Sequence, residues 1–164
     1  MQIRAAVADD AKAIAAIYNH YVATTTISFE EQPVGDAEMA QRITDVQVAG
    51  LPWLVAEQDH QVLGYAYASK WRVRHAYRFS VESSVYLAPQ SARQGLGTAL
   101  YTALLAQLGE QGYHLVIGGI ALPNEASVAL HEKMGFRKVA HFGEVGFKFG
   151  RWIDVGYWER KLAP

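Results

Sequence analysis

Apolar and polar positions along this chain change period several times, and each change marks an element. Ile3 to Val7 alternates as a strand does, and Asp9 or Asp10 then stands where a helix cap belongs. Ile14, Ile17, Tyr18, Tyr21 and Val22 follow at helical spacing, and the β-branched run Thr24-Thr25-Thr26 ends that helix. Pro33 to Val48 predicts a second helix with Met39, Ile43 and Val46 inward. Pro52 to Glu57 and Val62 to Ser69 read as strands joined by a turn at Asp59-His60. Lys70 to Phe79 is an aromatic, arginine-rich connection into a strand over Phe79 to Leu87. Leu96, Leu100, Ala103, Leu104 and Leu108 then form one apolar helical face that closes near Gly109 and Gly112. Leu115 to Ala121 is a strand, Asn124 caps a further helix, and Gly135 terminates it with Phe136 behind. Lys138 to Phe149 and Arg151 to Leu162 make a last strand pair turning near Gly150. This order predicts an α/β chain in which a mixed, twisted sheet carries helices on both faces.

The most telling segment is the strand, turn and helix around Ala92-Arg93-Gln94-Gly95-Leu96-Gly97-Thr98. The first amides of a helix lack internal partners, and the dipole adds positive potential there. Glycines let the main chain approach a phosphate, and Arg93 adds a cation. Two other phosphate loops are excluded. Leu96 and Thr98 flank Gly97 where a P-loop requires Lys and Ser/Thr after its last glycine, and Leu100 stands where the dinucleotide fingerprint requires Gly or Ala. Taken alone, the same glycines also fit an ordinary tight turn.

That segment and Leu122-Pro123-Asn124-Glu125-Ala126-Ser127 with Leu130-His131-Glu132-Lys133-Met134-Gly135-Phe136 together resemble the GNAT superfamily of N-acetyltransferases. Val81-Glu82-Ser83-Ser84-Val85-Tyr86 and Gly146-Phe147-Lys148-Phe149-Gly150-Arg151-Trp152-Ile153-Asp154-Val155-Gly156 are similar to its phosphinothricin and methionine sulfoximine/methionine sulfone acetyltransferase branch. The resemblance implies an α/β fold of the α+β type, with a mostly antiparallel sheet of about seven strands flanked by helices. It also implies one N-acetyltransferase domain over residues 1–164, with acetyl-CoA as co-substrate and no metal. The family carries Gln or Arg three residues before the first motif glycine, where this chain has Ala92. One side-chain contact to the cofactor would go, and Arg93 and Gln90 are the candidates to replace it.

Composition narrows the picture. With 164 residues, 51% of them hydrophobic and 19% charged, the chain has enough material for one sizeable core. A net charge of −1 suggests no nucleic-acid or membrane surface, and no apolar run is long enough to span a bilayer. The absence of cysteine excludes disulfides, thiolate metal sites and a cysteine nucleophile, and suits a cytoplasmic enzyme. No signal-peptide pattern precedes the first strand. His20, His60, His75, His114, His131 and His141 show no metal-binding spacing.

Acetyl transfer to an amine needs a proton acceptor, donors for the carbonyl oxygen and a proton for the leaving thiolate. Strand alternation places Glu82, Ser84 and Tyr86 on one face against Ser83, Val85 and Leu87 on the other. Glu82 is the expected base or water-organiser, although a solvated strand glutamate fits the same position. His131 stands where the superfamily usually has an acidic tyrosine; a hydrogen-bonded surface histidine is the alternative. Main-chain amides of Val85, Tyr86 and Leu87 are the expected oxyanion donors. Arg93, Gln94, Gly95, Leu96, Gly97 and Thr98 are the expected diphosphate cradle, with Asn124 and Lys133 as further cofactor contacts. Asn124 also reads as a simple cap and Lys133 as a solvated lysine. For a zwitterionic acceptor, Arg72, Val73, Arg74, Glu82, Ser83 and Ser84 are the expected substrate contacts, with Phe29-Glu30 as the opposite wall. The aromatic turn from Lys148 to Asp154 suits the acceptor pocket or a homodimer contact. A polyamine or protein N-terminus as acceptor, and a non-catalytic acyl-CoA sensor, are the alternatives.

Overall fold

The computed structural model describes residues 1–92 and 94–163. One seven-stranded sheet runs in the order β1-β2-β3-β4-β5-β7-β6. The strands are β1 (Gln2–Ala5), β2 (Trp53–Gln58), β3 (Gln61–Lys70), β4 (Ser80–Leu87), β5 (Leu115–Ala121), β6 (Arg137–Lys148) and β7 (Arg151–Lys161). All neighbours pair antiparallel except β4 and β5.

Helices α1 (Ala11–Thr24) and α2 (Asp36–Val48) cover one face; α3 (Leu96–Glu110) covers the other, and α4 (Glu125–Lys133) packs beside it. Alternation along the central strands divides the core between the faces. Trp53, Val55 and Tyr65 pack with Ile14, Met39 and Ile43 on the α1–α2 side. Leu54, Ala56, Ala66 and Ala68 pack with Leu100, Leu104 and Leu108 on the α3 side.

Three boundaries differ from the expectation. The first strand ends at Ala5, because Asp10 draws the chain into a turn. Asp10 does not cap α1: its carboxylate accepts from the Val7 N–H at 2.8 Å and from both terminal nitrogens of Arg4. Hydrogen bonding to Arg4 holds Asp10 below the usual carboxylate range against the opposing effect of burial. The second helix begins at Asp36 rather than Pro33. Asn19 pairs its carboxamide with both main-chain groups of Val34 at 2.8 Å, which keeps that segment extended up to Gly35.

Candidate active site

The sheet opens between its two parallel strands. β4 and β5 pair only from Ser80↔Leu115 to Glu82↔Ile117. Beyond that, β3 still holds β4 as far as Leu87, and β7 holds β5 as far as Ala121. From Ser83 onward, main-chain groups of β4 that face β5 therefore have no strand partner. The resulting notch is lined by Ser83, Ser84, Val85 and Tyr86, by Gly119 to Ala121, and by Tyr101, Asn124, Ser127 and His131.

Helix α3, which contributes Tyr101 to the notch, begins at Leu96. Gly95 takes a left-handed conformation (φ 76°) as the residue before the helix. The Ala99 N–H makes the first bond back, to the Gly95 carbonyl at 3.1 Å, leaving the amides of Leu96, Gly97 and Thr98 ahead of the helical ladder. Unpaired amides of this kind at a helix N-terminus can receive a diphosphate. The two glycines have different uses. A Cβ on Gly95 would meet nothing within 4 Å, whereas one on Gly97 would lie 2.9 Å from Leu130 Cδ2. Gly97 is small where α3 packs against α4. Gln94 is exposed beside the turn. Arg93 lies outside the described residues. Gln90 lines a separate cleft near Arg4 and His60. Asn124 caps α4, accepting from the Ser127 N–H at 3.1 Å, while also lining the notch. Lys133 is exposed in the last turn of α4.

A pocket of about 600 Å³ adjoins the notch. Ile27, Tyr86, Gly119 and Ala121 line both. Glu82 faces the pocket, and Ser83, one residue on, faces the notch. Burial pushes the Glu82 carboxyl above its usual range, opposed by the charge of Arg72. Tyr18, Ser28, Phe29 and Glu30 form the wall expected from Phe29-Glu30, and Val145, Val155 and Tyr157 arrive from β6 and β7. The Arg42 guanidinium donates to Glu30 at 2.6 Å and holds its carboxyl below the usual range.

Arg72 stacks over Trp71 at 4.0 Å, close enough to influence Glu82 and Tyr157. Arg72, Val73 and Arg74 together line a different cleft, with Lys70, Tyr77 and Arg78. None of the three lines the pocket wall; Arg72 differs from the other two only in that its charge reaches Glu82 and Tyr157.

His131 is buried, and both of its ring nitrogens are engaged. Nδ1 lies 2.7 Å from the Ser127 carbonyl and Nε2 lies 2.8 Å from the Tyr101 hydroxyl. Burial lowers its pKa, with the bond to Ser127 acting in the opposite sense. The Tyr101 hydroxyl also meets Ser83 Oγ at 3.0 Å.

Sequence reasoning missed Tyr101, Gly119, Val155 and Tyr157. Tyr101 alone left a trace: a tyrosine in an otherwise apolar helical face needs a partner for its hydroxyl. Gly119, Val155 and Tyr157 reach the site through strand order, which no local pattern encodes. Among the described residues, no cluster of His, Asp or Glu is arranged to hold a metal.

Comparison with known proteins places this architecture. The family model for the acetyltransferase (GNAT) domain matches residues 3–156. A phosphinothricin N-acetyltransferase of Alcaligenes faecalis is 48% identical over 94% of this chain and 79% of its own. An L-methionine sulfoximine/L-methionine sulfone acetyltransferase of Salmonella typhimurium is 36% identical over 99% and 95%. The crystal structure of a phosphinothricin acetyltransferase from Sinorhizobium meliloti, in complex with acetyl-CoA, superposes with a TM-score of 0.96 at 39% identity, covering 99% of this chain and 88% of that one. With an open parallel strand pair, a family model matched over residues 3–156 and relatives matched along 79–95% of their own length, the chain belongs to the GNAT acetyltransferase family.

Proposed function

We propose that this chain transfers the acetyl group of acetyl-CoA to the α-amine of a small amino acid of the phosphinothricin, methionine sulfoximine or methionine sulfone type. One observation carries the reading: the notch suited to the thioester and the pocket suited to the amine meet at Tyr86, Gly119 and Ala121, with Glu82 on the pocket side. In this reading Glu82 accepts the amine proton, directly or through one water, and its raised pKa brings it toward the basicity that the task requires. Amides of Val85 and Leu87, which face the opening, receive the developing oxyanion, whereas the Tyr86 amide is directed to Tyr65 of β3. The amides of Leu96, Gly97 and Thr98 hold the diphosphate, and Asn124 meets the cofactor arm. Arg72 is the cation for the acceptor carboxylate.

A polyamine is the second reading, because Glu30 and Glu82 both line the pocket. Glu30 is already neutralised by Arg42 and hydrogen-bonded by Tyr18, which favours the amino acid. A thiol-release assay with acetyl-CoA across amino acids, sulfones, sulfoximines and polyamines tests the assignment. Turnover on sulfones or sulfoximines is expected. Turnover on polyamines alone would overturn the amino-acid reading, and acetyl-CoA binding without turnover on any amine would leave a sensor.

The same reading takes residues 1–164 as one cytoplasmic domain that pairs with a second copy. Phe142, Phe147, Phe149 and Trp152 are exposed on the hairpin of β6 and β7, an apolar surface suited to a self-complementary contact beside the pocket. Trp152→Glu is expected to convert a dimer into a monomer in sedimentation; a wild-type monomer would contradict the pairing. Among the described residues, no helix is long and apolar enough to cross a membrane.

A further inference from the structure

Three hydrogen bonds form a continuous chain from the notch into α4: Ser83 Oγ to Tyr101 at 3.0 Å, Tyr101 to His131 Nε2 at 2.8 Å, and His131 Nδ1 to the Ser127 carbonyl at 2.7 Å. Its direction follows from the end of the chain. A carbonyl only accepts, so Nδ1 carries a proton. The Ser127 hydroxyl is a more distant neighbour at 3.4 Å and does not displace that bond. In the neutral ring Nε2 then has only a lone pair and accepts from the Tyr101 hydroxyl. The one hydrogen of Tyr101 is thereby committed, so Ser83 donates to Tyr101. Every hydrogen points away from the notch. Protonating the ring makes Nε2 a donor and reverses both hydroxyls, so the Ser83 O–H turns toward the notch.

Resting on the acetyl-transfer reading above, we propose that Ser83 is the group that meets the thioester sulfur and that His131 supplies the proton through Tyr101. As the bond between the acetyl carbon and sulfur breaks, Ser83 gives its proton to the departing thiolate. Tyr101 replaces that proton, His131 Nε2 replaces the one lost by Tyr101, and the imidazolium becomes neutral while free thiol leaves. A proton from bulk solvent, carried by a water that enters the notch afterwards, restores the imidazolium by the reverse steps, and the water leaves neutral. His131 itself has no uncommitted nitrogen for the sulfur. Gly118 allows the ring this close to β5, since a Cβ there would lie 2.8 Å from Nε2. The ring is otherwise walled by Phe136, which lies edge-on to it at 5.1 Å. The titratable groups facing the chain are Tyr101 from α3, which is raised by burial and to a lesser degree by Glu82 while its bond to Ser83 opposes the shift, and Glu82 from β4. On α4 itself, Glu132 accepts from the Trp158 ring nitrogen, and Lys133 is exposed. Burial favours the neutral ring, so the donating arrangement grows as pH falls. Ser83 is thus the catalytic residue, and Tyr101 and His131 act through it.

The test combines Ser83→Ala, Tyr101→Phe and the double variant with nitrogen-15 NMR of His131 in the wild-type protein. Each single variant is expected to lower kcat about tenfold or more, with the double variant no worse than either. The KM for acetyl-CoA should stay within about twofold, since neither hydroxyl is placed in the diphosphate cradle. The alkaline limb of the wild-type kcat profile, where His131 loses its proton, should be absent from Tyr101→Phe. Unchanged kcat and pH profile in Tyr101→Phe, or losses that multiply in the double variant, would overturn the proposal. The NMR arm is independent of activity: a neutral His131 protonated at Nδ1 supports the chain, and one protonated at Nε2 overturns it. A wild-type protein that acetylates no amine would instead be a failure of the proposed function.

Discussion

Gly95 and Gly97 stand two residues apart in the same turn, yet replacing each by alanine should produce different damage. At Gly95 the main chain has φ 76° and open space around a prospective Cβ. Alanine there opposes the left-handed conformation at a cost of about 1–2 kcal/mol, with no packing contribution. If the turn relaxes to relieve that cost, the donors of Leu96, Gly97 and Thr98 lose their common direction, so acetyl-CoA should bind more weakly by roughly tenfold, equivalent to about 1.4 kcal/mol. At Gly97 the conformation is helical, and alanine gains up to about 1 kcal/mol in helix propensity. The new methyl meets Leu130 Cδ2 at 2.9 Å, and overpacking of that kind costs about 1–3 kcal/mol. Net destabilisation should therefore be about 0–3 kcal/mol, with the displacement passed to α4 and its His131. Urea denaturation gives the stabilities, and titration calorimetry with acetyl-CoA gives the affinities. Gly95→Ala should lose both stability and affinity. Gly97→Ala should hold affinity more closely while losing kcat. A Gly95→Ala protein with wild-type stability and affinity would refute the argument that the left-handed turn aligns these amides.

Glu82→Gln should leave acetyl-CoA affinity within about twofold while lowering kcat by about a hundredfold or more. Because Glu82 must be ionised to accept a proton and its pKa is raised, wild-type activity should climb with pH through a limb above the ordinary carboxylate range, and the Gln variant should lack that limb. Lys148 is fully buried, donating to the Val22 and Ser28 carbonyls at 2.8 and 2.6 Å, and so fastens the wall that carries Phe29 and Glu30 to β6. Lys148→Met should destabilise by about 2–4 kcal/mol in urea and raise the KM for the amine more than the KM for acetyl-CoA, because two carbonyls lose a charged donor. Asn124→Ala removes the α4 cap and should cost about 1 kcal/mol, readable as a lower urea midpoint.

Much of this architecture is legible in local pattern. The continuous apolar run from Trp53 to Ala56 and the helical spacing of Leu96 to Leu108 predict elements that the structure contains, because burial on two faces or one dictates which positions are apolar. The limits of α2 were not legible, since Asn19 holds Val34 from a helix turn remote in sequence. The division between Glu82 and Ser83 followed from strand period, but the opening beside them did not. That opening depends on β3 and β7 continuing to hold β4 and β5 after the two part, a property of strand order. Gly97 illustrates a different limit: two glycines before a helix look alike in sequence, and only the position of Leu130 separates a packing role from a conformational one. The arginine-rich connection offered several cations for an acceptor carboxylate, and the fold places Arg72 and Arg74 alike on a different cleft from Glu82, with only the charge of Arg72 reaching that carboxyl.

The account's central claim is that one opening in the sheet aligns acetyl-CoA with the amine held beside Glu82. A crystal structure of the protein with acetyl-CoA tests it most directly. The account predicts the diphosphate on the main-chain N–H groups of Leu96, Gly97 and Thr98, the arm between β4 and β5, and the thioester at the junction of notch and pocket. A diphosphate bound elsewhere, or an arm that avoids the space between these strands, would contradict it.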